Sequence, residues 1–296
     1  MELFSWYQNE LIPTKELKIN FTDDITGQLR GFRIFTACVR FGSNKKIFKR
    51  KKHIKRLYKS AKLIKMKSPY SKTDLNKIID SVIEKNKDYD GDIQFDIIFS
   101  GGKTSSDGFT PLGLSTLIIL SVKPFDFPDK FFKEGMKLVT FAFQRPFANV
   151  KYTFYLPAIF AHLTIVKDQE ADGIIFVDPN DNETILEGSS FNVFMINSND
   201  QILTYPLNGK ILKGITRSIV IKICEKFKDL EVLEQSFTKN ELINSKEVFI
   251  TSTTRDIMPV TNVDGFIIND GKPGKLTIEL REALIEFRRN SNSNLN

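Results

Sequence analysis

Cysteine and histidine are nearly absent from this chain: 296 residues contain two of each. A disulfide framework and a structural zinc site both need more ligands than that, so neither is expected. Cys38 and Cys224 fall in stretches that read as a strand and a helix, and a buried, reduced pair in a cytoplasmic protein accounts for them most simply. Long apolar runs are also missing. The longest lies near Leu114–Val122, well short of the roughly 20 residues that cross a bilayer. Met1–Leu11 carries acidic residues and no basic stretch before an apolar core, which reads against a signal peptide. An even surplus of one charge is lacking too. The formal charge is +7, but the excess sits in one run from Lys45 to Arg56, and the rest is close to balanced. That run is read as a solvated basic face in preference to a nucleic-acid surface. No internal repeat is visible. The only low-complexity tract is the polar tail Asn290–Asn296, expected to be disordered.

What the chain does have is a hydrophobic share of 41% with 26 Phe, enough to bury substantial cores across two ordinary domains. Gly31–Phe41 alternates as a strand, and Ser43-Asn44 supplies a turn. His53–Met66 and Lys72–Lys85 place apolar residues on one helical face, and Ser68-Pro69 separates them. Ile93–Phe99 and Leu114–Val122 read as strands around the Gly/Ser-rich loop Ser100–Gly108, and Lys123–Pro128 as a linker. Beyond it the pattern gives strands at Met136–Phe143, Gly173–Asp178, Ser190–Asn197, Ile202–Tyr205 and Glu247–Thr251. Helices are expected at Leu156–Gln169, Ile215–Phe227, Thr238–Ile243 and the end of Gly271–Arg289. Two α+β domains with a cleft between them follow, and clefts are where ligands tend to sit.

Several short segments are suited to chemistry, each with a plainer alternative. In Ile211-Leu212-Lys213-Gly214-Ile215-Thr216-Arg217 a glycine leads into a helix. Free N–H groups, a hydroxyl and the positive dipole end then converge as a phosphate or carboxylate requires, unless Thr216 is simply a helix cap. Lys151 sits among aromatic and apolar neighbours. Such surroundings favour the neutral amine that condenses with an aldehyde, although a buried stem with a solvated head reads equally from the local sequence. Glu187 precedes Gly188-Ser189-Ser190 and an alternating strand, so it is either a charge fixed at the mouth of a sheet or a turn carboxylate. Thr251-Ser252-Thr253-Thr254 at a strand end offers hydroxyls and N–H groups for a second anion wall, or forms a polar turn. Arg56 follows His53 on the first long helix, where it is a bidentate phosphate clamp or one more cation in a basic stretch.

Their order is more specific than any one of them. His53-Ile54-Lys55-Arg56-Leu57, mid-chain Lys151, Glu187–Phe194, Ile211–Arg217 and Thr251–Val260 follow one another, with Val263-Asp264-Gly265 and Asp270-Gly271-Lys272-Pro273-Gly274 after them. In this succession, from about Gly31 to Arg289, the chain resembles the class IV pyridoxal-phosphate enzymes. These include D-amino-acid aminotransferases, branched-chain aminotransferases and aminodeoxychorismate lyases. The resemblance implies an α+β fold of type IV with pyridoxal 5′-phosphate in an interdomain cleft, residues 1–122 forming a smaller domain, 123–130 a linker and 131–296 the larger cofactor-binding domain. It implies Lys151 as the Schiff-base lysine and proton carrier, and Glu187 as partner of the pyridine nitrogen. Tyr155 would meet the ring hydroxyl. Arg56, the N–H groups of Ile215 and Thr216 with the Thr216 hydroxyl, and Ser252 with Thr253 would surround the phosphate. It further implies a cytoplasmic homodimer acting on an amino acid and a 2-keto acid, with no nucleic acid or membrane partner and no metal.

The chain departs from that family in what would face the substrate. Where the family carries Tyr-Gly-Asp-Gly and then Phe-Glu-Thr, this sequence has Arg30-Gly31-Phe32-Arg33 and Phe35-Thr36-Ala37, so the glutamate position is Thr36, as in the lyase branch. The loop Phe99-Ser100-Gly101-Gly102-Lys103 lacks the arginine often found there, and Phe154 stands three residues after the lysine in place of asparagine. An aminotransferase for an apolar or D-amino acid is expected first, an aminodeoxychorismate lyase second and a non-catalytic binder third.

Overall fold

In the computed structural model, residues 1–42, 46–225, 227 and 230–293 are described. The expected turn at Ser43-Asn44 and the last residues of the polar tail lie outside them. The chain divides into two compact units. Among the described residues, one comprises those of 1–125 with 150–154, the other those of 126–149 with 155–293.

The first unit is built on an antiparallel sheet of five strands in the order β2-β1-β5-β4-β3. These are β1 (Phe4–Tyr7), β2 (Glu10–Pro13), β3 (Arg33–Arg40), β4 (Ile93–Ser100) and β5 (Thr116–Val122), with a short helix α1 (Ile25–Arg30) before β3. Strict alternation gives the sheet two faces. Ile34 and Cys38 of β3, Ile93, Phe95, Ile97 and Phe99 of β4, and Leu117 and Ile119 of β5 share one core. It is completed by Ile54, Leu57 and Ala61 of α2 (Arg50–Leu63) and Leu75, Ile79 and Val82 of α3 (Lys72–Lys85). Ser71 starts α3 by accepting the Asp74 N–H, a cap that fixes the helix where the periodicity predicts it. The first hairpin, β1–β2, is too short and too irregular in polarity to register as strands in the sequence.

The second unit holds nine strands, six of which close on themselves. They are β6 (Met136–Ala142), β7 (Gly173–Val177), β8 (Ile185–Gly188), β9 (Asn192–Ile196), β12 (Glu247–Ser252) and β13 (Asp256–Val263). Pairing runs β9-β12-β13-β6-β7-β8, and a β8–β9 bridge between Glu187 and Asn192 seals the ring. Outside it, β10 (Ile202–Thr204) and β11 (Val232–Glu234) extend from β9, and β14 (Phe266–Ile267) pairs with β13. Leu138, Ile175, Val177, Ile185, Val193, Met195, Val248, Ile250, Met258 and Val260 form a common core. Helices α4 (Lys130–Lys133), α5 (Leu156–Ala161), α6 (Ile215–Cys224), α7 (Lys239–Ile243) and α8 (Lys275–Ser293) belong to this unit. A π-helical turn, His162–Val166, follows α5, within the stretch expected as one helix. Cys38 and Cys224 are buried and free, and no described helix is long and apolar enough to cross a membrane. Strand β13 was not expected. Pro259 inside it interrupts the pattern of a strand and is tolerated where the ladder does not require its missing N–H.

Candidate active site

The candidate residues fall in both units. In the first, residues 150–154 run beside the edge strand β3. The Phe35 N–H donates to the Lys151 carbonyl at 3.0 Å, the Thr153 N–H donates to Arg33 at 3.3 Å, and Ile34 bridges Tyr152. The Lys151 N–H donates to Ser60 Oγ of α2 at 3.3 Å. Tyr152 turns to the core with Ile34, so Lys151 emerges on the other side, its Nζ 4.5 Å from the centre of the Phe35 ring. Arg56, one turn before Ser60 on α2, donates from Nη2 to Thr36 Oγ1 at 3.0 Å. The same hydroxyl lies 2.8 Å from His53 Nδ1. Burial, with the charges of Arg56 and Lys151, drives the His53 pKa well below its ordinary value, so the ring is neutral. Thr36 is a neutral link between a guanidinium and an imidazole.

The loop after β4, which lacks the arginine common in the family, is tied down by other means. Ser100 Oγ donates to Asp24, the Gly102 N–H donates to Asp24 at 2.9 Å, and Arg33 binds both Asp24 and Ser100. Arg33 is thereby committed to Asp24, which is itself buried.

In the second unit the seam of the closed ring gathers most of what the sequence singled out. Glu187 is only 5% exposed. Its Oε1 accepts from Arg145 Nε at 2.8 Å and its Oε2 from the Leu212 N–H at 2.9 Å. Arg145 is fixed in turn by donating to the Ala148 carbonyl at 2.7 Å. Glu187 lies within strand β8 and not in a turn, which disposes of its plainer alternative. Across the seam, Asn192 Nδ2 donates to the Leu212 carbonyl at 3.0 Å, and its Oδ1 would lie 2.1 Å from a Cβ on Gly214. Only glycine fits there, because the chain entering α6 passes directly against the Asn192 amide. Gly214, not Thr216, is the N-cap of α6, and it makes no side-chain capping bond. Among the described residues the N–H groups of Ile215 and Thr216 donate to nothing, and both residues are buried. Asn192 also pairs with Thr251, the residue before Ser252-Thr253 on β12, and the Thr251 hydroxyl is buried with no partner. Ser252 Oγ accepts the Arg255 N–H at 3.0 Å, which shapes the turn into β13. Tyr155 lies at the start of α5, against the cluster of Val139, Phe176 and Leu186.

Glu187, Gly214–Thr216 and Ser252 are thus assembled around one asparagine. Arg217, which ends the Gly-Ile-Thr-Arg segment, points elsewhere: it is 1% exposed and bonds Tyr205 and Glu234. Sequence reading missed Arg145 and Asn192. Asn192 stood inside a quoted motif, but its role depends on strand closure; Arg145 had no local signal beyond a lone cation in Gln144–Asn149.

Residues 35–263 match the family model described as amino-transferase class IV. The chain is 33% identical over 239 residues to D-alanine aminotransferase of Bacillus licheniformis, covering 80% of this chain and 82% of that one. It is 29% identical over 279 residues to D-alanine aminotransferase of Staphylococcus aureus strain N315, covering 94% and 95%. Its fold superposes on branched-chain amino acid aminotransferase from Escherichia coli with a TM-score of 0.83 at 22% identity, over 96% of this chain and 94% of that one. The chain belongs to the class IV aminotransferases, α+β enzymes of fold type IV that use pyridoxal 5′-phosphate.

Proposed function

We propose that this enzyme moves the amino group of a D-amino acid or a branched-chain amino acid to a 2-keto acid, with Lys151 as its catalytic group. The observation that carries the reading is the seam at Asn192. A carboxylate bonded at both oxygens, a helix start with unspent N–H groups and an orphaned buried hydroxyl are gathered there, with Gly214 letting the helix start pass directly against the Asn192 amide. That donor set fits the cofactor, with donors suited to its phosphate and a fixed carboxylate suited to its ring nitrogen. When bound, the cofactor supplies an electron-withdrawing ring that acidifies the α-C–H of the amino donor.

The rest falls to the chain's own side chains. Lys151 Nζ, held over Phe35 by backbone bonds to β3 and α2, would be the base that accepts the substrate α-proton and the acid that gives it back. Glu187, kept in place by Arg145 and the Leu212 N–H, would be the carboxylate that favours a protonated ring nitrogen. Ile215 and Thr216 would offer N–H groups and a hydroxyl to the phosphate, with Ser252 and Thr253 beside them; Arg56 is the guanidinium suited to the same phosphate, and Tyr155 would serve the ring hydroxyl. Holoenzyme mixed with D-alanine or a branched-chain amino acid is expected to lose the absorbance of its aldehyde cofactor in a single turnover and release the keto acid. Release of pyruvate from aminodeoxychorismate with no half-transamination of any amino acid would establish the lyase reading instead.

The same reading carries a cytoplasmic homodimer. Leu156, Ile159, Phe160 and Leu163 line one side of α5 and its continuation at 53–68% exposure, an apolar stripe suited to a second copy. Sedimentation as a monomer at assay concentration would count against it.

A further inference from the structure

The face of the five-stranded sheet turned away from α2 and α3 carries a carboxylate that no role above uses. Register sets Phe35 opposite Ile98 and Ala37 opposite Asp96, with Leu120 on the far side of Asp96. These residues alternate with the ones packed against α2 and α3, so they share the face on which Lys151 emerges. Reading across that face gives Lys151, then Phe35 and Ala37, then Asp96 with Gln94 on the same strand. Asp96 lies two strands across and two residues along from Lys151, which puts their backbones about 12 Å apart, a gap that several methylenes bridge.

Neither polar group is satisfied. Gln94 Nε2 donates to Asp96 Oδ2 at 2.9 Å, which fixes the amide orientation because a carboxylate only accepts. Asp96 Oδ1 and Gln94 Oε1 are then left buried with no hydrogen-bond partner. No described cation lies within ion-pair distance of Asp96, and its cross-strand neighbours are Ala37 and Leu120. Burial pushes its carboxyl above the usual range, against the hydrogen bond from Gln94 and the charge of Lys151. Two adjacent acceptors without donors suit a ligand rich in N–H groups, and a carboxylate there repels an acidic tail.

We propose that Asp96, seconded by Gln94, receives a basic nitrogen on the tail of the amino donor, so that the enzyme selects substrates with an ammonium or guanidinium group several bonds beyond the α-carbon. This rests on the reading of Lys151 as the reacting amine and narrows the donor class of that same site.

Calorimetric titration of the holoenzyme with 5-guanidinopentanoate and with hexanoate tests it. Both carry one carboxylate, neither has a primary amine to react with the cofactor, and only the first has a cationic tail. The guanidino acid is expected to bind at least about ten-fold more tightly, as a charge-assisted hydrogen bond supplies. Asp96→Asn should abolish that preference by weakening the guanidino acid and not hexanoate. Equal binding in the wild type, or a preference that survives in Asp96→Asn, overturns the proposal; the wild-type comparison decides even where the variant folds poorly. A half-reaction with a basic amino acid run alongside separates the two readings. Preferential binding without conversion of any donor upholds the cation site and fails the aminotransferase assignment of the amine.

Discussion

Two carboxylates, a buried one in the second unit and a half-buried one in the first, are held in opposite ways. Glu187 sits on the seam of a closed ring of strands with an arginine on one oxygen and a backbone N–H on the other. Asp96 sits on the sheet face turned away from α2 and α3, with one amide bond and an oxygen that nothing meets. A carboxylate with both oxygens bonded keeps one position and one charge, as a partner for a fixed ring must. One left half-bonded in apolar surroundings costs the fold stability and is retained for what it binds. The seam region is finished before any ligand arrives, whereas the face around Lys151 is arranged for something that comes and goes.

The most severe way to break this comparison is to remove the group that the face around Asp96 serves. Lys151→Ala should cut the single-turnover rate by at least about 10⁴-fold, the upper range of general acid–base contributions, while melting temperature moves little because Lys151 is held by its backbone. Retained turnover would move the chemistry elsewhere. Next in size, Arg145→Met takes the guanidinium away from the buried Glu187 carboxylate. Side-chain exposures of 11% and 6% for the pair put the loss in the class of broken buried ion pairs, about 3–5 kcal/mol in chemical denaturation. A loss below about 1 kcal/mol would mean that the Leu212 N–H alone holds the carboxylate. Gly214→Ala should cost about 1–3 kcal/mol by forcing a methyl into the Asn192 amide, and should weaken cofactor retention with it. Combining it with Asn192→Ala should cost less than the sum of the two single changes, because the clash is then gone.

How legible these regions were in the sequence follows the same division. The periodic elements were readable, and α3 spans Lys72–Lys85 as the apolar spacing predicts. At the seam, Gly214 and Glu187 stand in short motifs because backbone entry into a helix and closure of a strand pair each demand one residue type, so their order along the chain exposes the family. The short strands β1, β2 and β8 were missed, since a four-residue strand carries too little alternation to be told from a loop. Arg145 was missed because its partner is 42 residues away. Asp96 drew no attention because a single acid in a strand pattern looks like an ordinary solvent-facing position; only the pairing with Ala37 and the emergence of Lys151 on the same face give it meaning.

The smallest effect is also the sharpest contrast with Glu187. Asp96→Asn keeps an acceptor for Gln94 Nε2 and removes the half-buried charge, so the variant should melt slightly above the wild type at neutral pH. The sign follows from the raised carboxyl pKa of the folded state. Between the unfolded and the raised folded value the native protein binds more protons than the unfolded chain, so wild-type stability falls as pH rises through that window and stays reduced above it. The gap between the variant and the wild type should therefore open as pH climbs out of the ordinary carboxylate range and close again on acidification. Melting curves of the two proteins across that range check it. A variant that melts lower at every pH would mean that the Asp96 charge is compensated in the fold, as that of Glu187 is, and the contrast between the two carboxylates would disappear.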